Sequence, residues 1–144
     1  MAPKAGRELL VETDFLFGLR EDDRLHEHVM RALKMHENGK VELILLSSAV
    51  IEFRAVLYSS GLKPEEVEEA AALALAILTG HEVNRYLQIQ LEDLILAEKL
   101  RARHGIGFFD SLHASAAKRT GIKLLSSDEA YRKLDIPYLS LKSI

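Results

Sequence analysis

Short apolar runs alternate with stretches of helical periodicity along most of this chain. The predicted strands, each short and largely apolar, are residues 9–11, 41–46 (continuously apolar from residue 43), 83–88 (the weakest), 122–125 and 138–141. Between them, apolar residues recur three or four positions apart, as they do on one face of a helix. This spacing predicts helical segments over residues 15–20, 22–37, 47–59, 64–80, 90–104, 108–120 and 128–134. Strands separated by helices are typical of α/β proteins, so we expect a mostly parallel central sheet of four or five strands.

Length and composition narrow the class of protein further. The 144 residues fit a single domain, 1–144, and 48% hydrophobic residues suffice for a core. The absence of cysteine excludes disulfides, thiolate zinc sites, iron–sulfur clusters and a cysteine nucleophile. A net charge of −3 leaves no overall positive field, so a nucleic-acid partner would need a local basic patch. No apolar run is long enough to span a membrane or serve as a signal peptide, so we expect a cytoplasmic protein.

Carboxylates follow several of the predicted strands. Glu12 and Asp14 come directly after the first strand, and Glu52 lies one turn into the helix after the second. Asp110 lies in the first turn of its helix, and Asp128 follows the strand at 122–125. Parallel strands end at the same edge of a sheet, where α/β proteins bind ligands. We therefore expect these five carboxylates to lie close together.

A cluster of carboxylates is suited to a divalent cation. Neighbouring carboxylates repel one another and raise each other's pKa, and a cation removes that conflict. An all-oxygen set of ligands favours Mg²⁺ or Mn²⁺. Such ions activate water and stabilise the charge that develops when a phosphodiester is attacked.

Each carboxylate also has an ordinary structural explanation. Asp14 and Asp128 are suitable helix N-caps, and Asp110 complements a helix dipole. Glu52 has a possible structural partner in Arg54. Only the joint placement of the acids favours a functional site over these explanations.

Four segments carry a resemblance to a known family. They are LVETDFL at 10–16, SSAVIE at 47–52, GFFDSLHA at 107–114 and LLSSD at 124–128. In this order they resemble the motifs of the PIN-domain family, and most closely those of its small prokaryotic ribonucleases of the VapC type. The resemblance covers essentially the whole chain, and it implies a three-layer α/β/α fold. It also implies Mg²⁺- or Mn²⁺-dependent hydrolysis of single-stranded RNA, a homodimer and a small antitoxin partner.

The resemblance assigns roles to particular residues and meets one departure. It implies that metal is held, and the attacking water oriented, by Glu12, Asp14, Glu52, Asp110 and Asp128, with Ser126 as hydrogen-bonding support. The first motif of the family usually begins with aspartate, and here that position is Glu12. Either Glu12 binds metal with an adjusted backbone or Asp14 contributes more than usual. If neither reaches the metal, the protein is a weak or inactive relative that binds RNA or serves as a scaffold.

Other polar residues carry weaker expectations. His113, three residues after Asp110, is expected to be a packed histidine rather than a site residue, and Asp93 to lie on a solvated face. Arg54 and Lys118, like Arg119, flank the acid-bearing helices and are candidate contacts for RNA phosphates. A phospho-acceptor receiver domain also gathers acids at strand ends. It requires an acceptor aspartate directly after a central strand, where this chain has Ser47 and Ser48.

Overall fold

The computed structural model describes residues 6–144, and its centre is a five-stranded sheet. The strands are β1 (Glu8–Val11), β2 (Glu42–Leu46), β3 (Arg85–Leu87), β4 (Lys123–Ser126) and β5 (Tyr138–Ser140). Their order across the sheet is β3-β2-β1-β4-β5, and every neighbouring pair is parallel. The structure confirms the predicted three-layer α/β class, and it shows five strands, all of them parallel.

Helices connect the strands. They are α1 (Thr13–Phe17), α2 (His26–Glu37), α3 (Ser47–Ser59), α4 (Pro64–Gly80), α5 (Leu91–His104) and α6 (Phe108–Thr120). The segment Glu129–Leu134 is a 3₁₀-helix, as is Leu141–Ser143, which follows β5. No helix within residues 6–144 is long and apolar enough to cross a membrane.

Some predicted helix boundaries are wrong, and local hydrogen bonds explain why. Helix α2 begins at His26 rather than at residue 22, because the carboxylate of Asp23 accepts a hydrogen bond from the backbone N–H of Leu25 and forms a turn there. No side-chain hydrogen bond caps the N-terminus of α3, although two serines begin the helix. Leu46 is the N-cap residue, and both serines that follow it bind elsewhere: Ser47 Oγ accepts from the N–H of Ile89, and Ser48 Oγ binds a buried histidine.

The core lies on both faces of the sheet. All five residues of β2 are buried, as are the last three residues of β1. Continuous burial along a strand shows that both of its faces are covered, which explains the consecutive apolar residues at 9–11 and 43–46. The side chains of Leu10, Leu43 and Leu124, on three adjacent strands, have no exposed surface.

Helices α5 and α6 pack against each other around a buried ion pair. Asp93 is completely buried, and its carboxylate accepts hydrogen bonds from Arg119 at 2.7 and 3.0 Å. It also accepts from the backbone N–H of Gln90 at the start of α5. The expectation that Asp93 lies on a solvated face is therefore wrong, and Arg119 is engaged by Asp93 rather than free for a phosphate.

The strand register determines where the site forms. Val11 of β1 pairs with Leu45 of β2 and with Leu125 of β4. Because these strands are parallel, the residues that follow them emerge at one edge of the sheet. Glu12, the start of α3 and Ser126 are therefore neighbours in space.

Candidate active site

Glu12 lies at the centre of the carboxylate cluster. It is the N-cap residue of α1 and accepts a hydrogen bond from the backbone N–H of Asp14. The hydroxyl of Ser126 lies 2.8 Å from Glu12 Oε2, and that of Tyr131 lies 3.4 Å from the same atom. The side chain is buried, and burial, followed by the charge of Asp14, raises the pKa of Glu12 from 4.5 to about 7. Glu12 is thus only partly ionised at neutral pH, and a bound cation would favour its ionised form.

Asp14 has one well-satisfied oxygen and one free oxygen. Its Oδ2 accepts hydrogen bonds from the backbone N–H and the hydroxyl of Ser127, both at 2.7 Å. Ser126 Oγ lies 3.2 Å from the same oxygen. Oδ1 is buried and has no hydrogen-bond partner among residues 6–144. A buried carboxylate oxygen without a donor is costly, and a bound cation would remove that cost.

Glu52 and His113 form a second, directly linked part of the site. His113 Nε2 lies 2.8 Å from Glu52 Oε1, and Thr13 Oγ1 donates a short hydrogen bond to the same oxygen. On the other side of the imidazole, Nδ1 lies 2.8 Å from Ser48 Oγ. Burial raises the pKa of Glu52, but the hydrogen bonds from His113 and Thr13 outweigh it, so the pKa lies below its usual value. Glu52 is therefore ionised at neutral pH.

Asp110 is joined to Glu12 through Tyr131. The Tyr131 hydroxyl lies 3.1 Å from Asp110 Oδ1, while the ring is buried against the core. Burial raises the pKa of Asp110, the Tyr131 hydrogen bond opposes that rise, and the charges of Glu52 and Asp128 add to it. Asp110 and Glu12 therefore share one hydrogen-bonding hydroxyl at the sheet edge.

Asp128 lies at the exposed rim of the cluster. Its Oδ1 accepts a hydrogen bond from the backbone N–H of Ala130, so it is the N-cap of the 3₁₀-helix that carries Tyr131. Its own N–H donates to Ser126 Oγ at 3.1 Å. The helix-cap explanation for Asp128 is correct, and it leaves Oδ2 available for another ligand.

The donor set fits a divalent cation. Glu12, Glu52 and His113 each offer a ligand atom within 4.8 Å of the others. Asp14 adds a buried oxygen with no partner, and Asp110 adds a half-buried carboxylate linked to Glu12. Carboxylate oxygens that repel one another, with one imidazole nitrogen beside them, form a candidate metal centre.

The structure brings the predicted acids to one place but not the predicted basic residues. The five carboxylates and Ser126 are linked by the contacts above. Arg54 is exposed and lies over the ring of Tyr58 at 5.1 Å, and Lys118 lies 3.9 Å from Asp135. No contact in residues 6–144 joins either basic residue to the carboxylates, so their contact with RNA stays a prediction.

Sequence reasoning missed several polar groups around the acids. His113 is packed, as expected, but its ring also binds Glu52, so packing and site membership are not alternatives. Ser48 precedes Glu52 by four residues and thus shares its helix face, a signal that was available from the sequence. Tyr131 carried no such signal, because a tyrosine in a short helical segment is more often an ordinary core residue.

Comparisons with known proteins bear on the family and the fold of this chain. The family model described as PIN domain matches residues 9–137. VapBC2 from Rickettsia felis, solved with a DNA fragment from its promoter, aligns with a TM-score of 0.68 at 13% identity, over 92% of this chain and 98% of that one. VapC20 from Mycobacterium tuberculosis, described as a toxin that cleaves the sarcin-ricin loop, gives a TM-score of 0.65 at 18% identity, over 89% and 95%.

A further structure is described as a member of the VapBC family of toxin-antitoxin systems. The structure, that of VapBC-5 from Mycobacterium tuberculosis, aligns with a TM-score of 0.57 at 13% identity, over 93% of the chain described here and 97% of the VapBC-5 chain. No match to this chain is found among curated protein sequences. At these identities the structural likeness establishes a shared fold.

Proposed function

The chain belongs to the PIN-domain family, and from this premise we propose that it is a metal-dependent endoribonuclease that hydrolyses phosphodiester bonds of single-stranded RNA. PIN domains are generally nucleases. The proposed cofactor is Mg²⁺ or Mn²⁺, and the proposed ligands and catalytic residues are Glu12, Asp14, Glu52, Asp110 and Asp128.

The linked carboxylate cluster carries this proposal. Glu12 and Asp14 share the Ser126 hydroxyl, and Glu12 and Asp110 share the Tyr131 hydroxyl. Without a cation such a cluster repels the phosphates of RNA. A cation bound by the cluster would provide positive charge, which stabilises the negative charge that develops on a phosphodiester during nucleophilic attack.

Each part of the site has a distinct task in this mechanism. A bound divalent ion supplies activation of water and neutralisation of phosphate charge. Ser126 and Tyr131 keep the carboxylates in place through their hydroxyls, since hydrogen bonds to ligands fix the orientation of a metal site. Asp110 is half-buried, so it faces both the cluster and the solvent from which substrate arrives. Arg54 and Lys118 are the proposed contacts to RNA phosphates.

The proposed partners follow from the family and the neighbours. VapBC-5 belongs to a family of toxin-antitoxin systems, and we propose that this chain is likewise the toxin of such a pair, inhibited by a small antitoxin. A homodimer in the cytoplasm is proposed on the family resemblance. Exposed apolar side chains, including Ile51, Leu91 and Phe108, provide surface for protein partners.

One observation favours a second candidate, a PIN-fold protein that binds RNA with little or no cleavage. Glu12 occupies the position at which the family usually has aspartate, and its side chain is buried and engaged by Ser126 and Tyr131. Glutamate carries its carboxylate one methylene further from the backbone than aspartate does, so a metal held by Glu12 would lie at a different place relative to the other carboxylates. Cleavage, rather than RNA binding, separates the two candidates.

The deciding experiment is RNA cleavage by the full-length protein. Labelled single-stranded RNA is incubated with protein and Mn²⁺ or Mg²⁺, with EDTA and with Asp110→Asn. The matched control is Asp22→Asn, an exposed aspartate that pairs with Arg20 away from the cluster. We expect cleavage by the unaltered protein and by Asp22→Asn, and its loss with EDTA and in Asp110→Asn. RNA that is bound but left intact in all reactions would instead favour the non-catalytic candidate.

A further inference from the structure

We propose that His113 is itself a metal ligand and that its imidazole makes this site select a first-row transition-metal ion, such as Mn²⁺ or Co²⁺, over Mg²⁺. The inference rests on the metal centre of the proposed function and deepens it. It concerns which ion the site takes and which nitrogen binds that ion.

The position of His113 supports this role. The residue lies one turn after Asp110 on α6, its side chain has no exposed surface, and the ring is directed at the carboxylates of two other elements. Nε2 lies 2.8 Å from Glu52 Oε1 and 4.0 Å from Glu12 Oε1. A histidine that served only to fill the core would not need to point its ring nitrogen between two carboxylates.

The distances match the spacing of ligands around one ion. With metal–ligand bonds of about 2.1 Å, adjacent ligands of an octahedral ion lie about 3 Å apart and opposite ones about 4 Å apart. The two separations measured from His113 Nε2, 2.8 and 4.0 Å, fall at these values. Glu12, Glu52 and His113 can therefore surround one ion with small movements of their side chains.

Ser48 prepares the imidazole for either state. Its buried hydroxyl lies 2.8 Å from His113 Nδ1 and can act as donor or acceptor. Without metal, Nε2–H donates to Glu52. With metal, Nδ1–H donates to Ser48 Oγ, and the lone pair of Nε2 is free to bind the ion. Metal-binding histidines usually donate their second ring N–H to such a partner, which fixes the tautomer.

A nitrogen ligand changes the preference for metal. Mg²⁺ favours oxygen ligands and keeps several waters, whereas imidazole binds transition-metal ions well. A site made only of carboxylates distinguishes Mn²⁺ from Mg²⁺ less than one that includes a histidine. We therefore expect tighter binding of Mn²⁺ and Co²⁺ than of Mg²⁺ by the unaltered protein.

The test measures metal binding without reference to catalysis. EDTA-treated, full-length protein is titrated calorimetrically with MnCl₂, CoCl₂ and MgCl₂, and pulsed EPR of the Mn²⁺ form detects a directly bound ¹⁴N nucleus. The variants are His113→Gln and Ser48→Ala, and the control is His104→Gln, an exposed histidine at the end of α5. RNA cleavage is recorded with the same metal-loaded samples.

We expect a ¹⁴N signal in the unaltered protein and in His104→Gln, and its loss in His113→Gln. The affinity for Mn²⁺ should fall at least about tenfold in His113→Gln while that for Mg²⁺ changes little, and Ser48→Ala should weaken Mn²⁺ binding by about tenfold. Absence of the ¹⁴N signal from the unaltered protein overturns the inference even if His113→Gln does not fold. If Mn²⁺-loaded protein cleaves RNA without a ¹⁴N signal, the inference about His113 is wrong and the proposed function stands. If the protein binds no metal, the proposed function is wrong as well.

Discussion

The metal-free protein should lose stability as the pH rises from 5 to 8, and Glu12 should account for most of that loss. Burial and the charge of Asp14 raise the pKa of Glu12 from 4.5 in the unfolded chain to about 7 in the folded protein. A raised pKa means that the folded protein favours the protonated group. Its contribution to stability is complete below about pH 4.5 and is lost as the pH rises through about 7.

The size of the effect follows from the pKa difference. One pKa unit corresponds to about 1.4 kcal/mol, so a rise from 4.5 to about 7 corresponds to about 3 kcal/mol. For a domain of this size, about 3 kcal/mol lowers the melting temperature by roughly 6–12 °C. Glu52 does not contribute in this range, because its pKa is lowered and the associated loss of stability occurs in acid.

The assay is urea denaturation in EDTA at pH 5, 6, 7 and 8, on the unaltered protein and on Glu12→Gln. The amide removes the titrating group, and the hydroxyls of Ser126 and Tyr131 remain as hydrogen-bond partners for it. We expect the free energy of unfolding to fall by about 3 kcal/mol for the unaltered protein and to change much less for Glu12→Gln. An equally steep fall in both proteins, or stability independent of pH in the unaltered one, would refute the reasoning. Saturating Mn²⁺ should abolish the fall, because a bound cation favours the ionised carboxylate.

Three further substitutions test separate parts of the structure by chemical denaturation. Gly18→Ala should destabilise the protein by about 1–3 kcal/mol, because the added Cβ would lie 2.4 Å from the buried Val29 side chain; unchanged stability would mean that α2 shifts freely. Arg119→Met should cost about 3 kcal/mol, since it leaves the buried Asp93 carboxylate without its guanidinium, and should leave Mn²⁺ affinity unchanged. Tyr131→Phe should lower the free energy of unfolding by about 2 kcal/mol and also weaken Mn²⁺ binding, because it removes the hydroxyl between two site carboxylates. A loss of stability with unchanged Mn²⁺ affinity would show that Tyr131 is a core residue without a role in the site.

The class of fold and the clustering of the carboxylates were predictable because both depend on the alternation of strands and helices along the chain. Short apolar segments separated by helical segments indicate a covered parallel sheet whichever residues form its helices. Glu12 and Glu52 each follow a strand, and Asp110 lies at the start of the helix that leads into β4, so all three are expected at the edge where the parallel strands end. The sequence did not decide between Glu12 and Asp14 as the ligand after β1, and the structure places both carboxylates within reach of Ser126.

The contacts that were not predictable depend on distances between remote parts of the chain. Asp93 and Arg119 are 26 residues apart, and no periodicity indicates that α5 and α6 would bring them together. The residues beside His113 in the sequence are small or apolar, so the sequence predicts that His113 is a core residue. Its ring nitrogens bind Ser48 and Glu52, 65 and 61 residues away, which only the packing of α3 against α6 determines.

The position of β4 in the sheet has a consequence during synthesis. Ser126, whose hydroxyl supports Glu12 and Asp14, is 114 residues beyond Glu12, and Tyr131 is 119 residues beyond it. A nascent chain that has not yet reached these residues lacks both hydroxyl donors and the strand that pairs with β1. The growing polypeptide therefore lacks a complete carboxylate site until this domain is nearly synthesised, and the activity proposed above would begin only then.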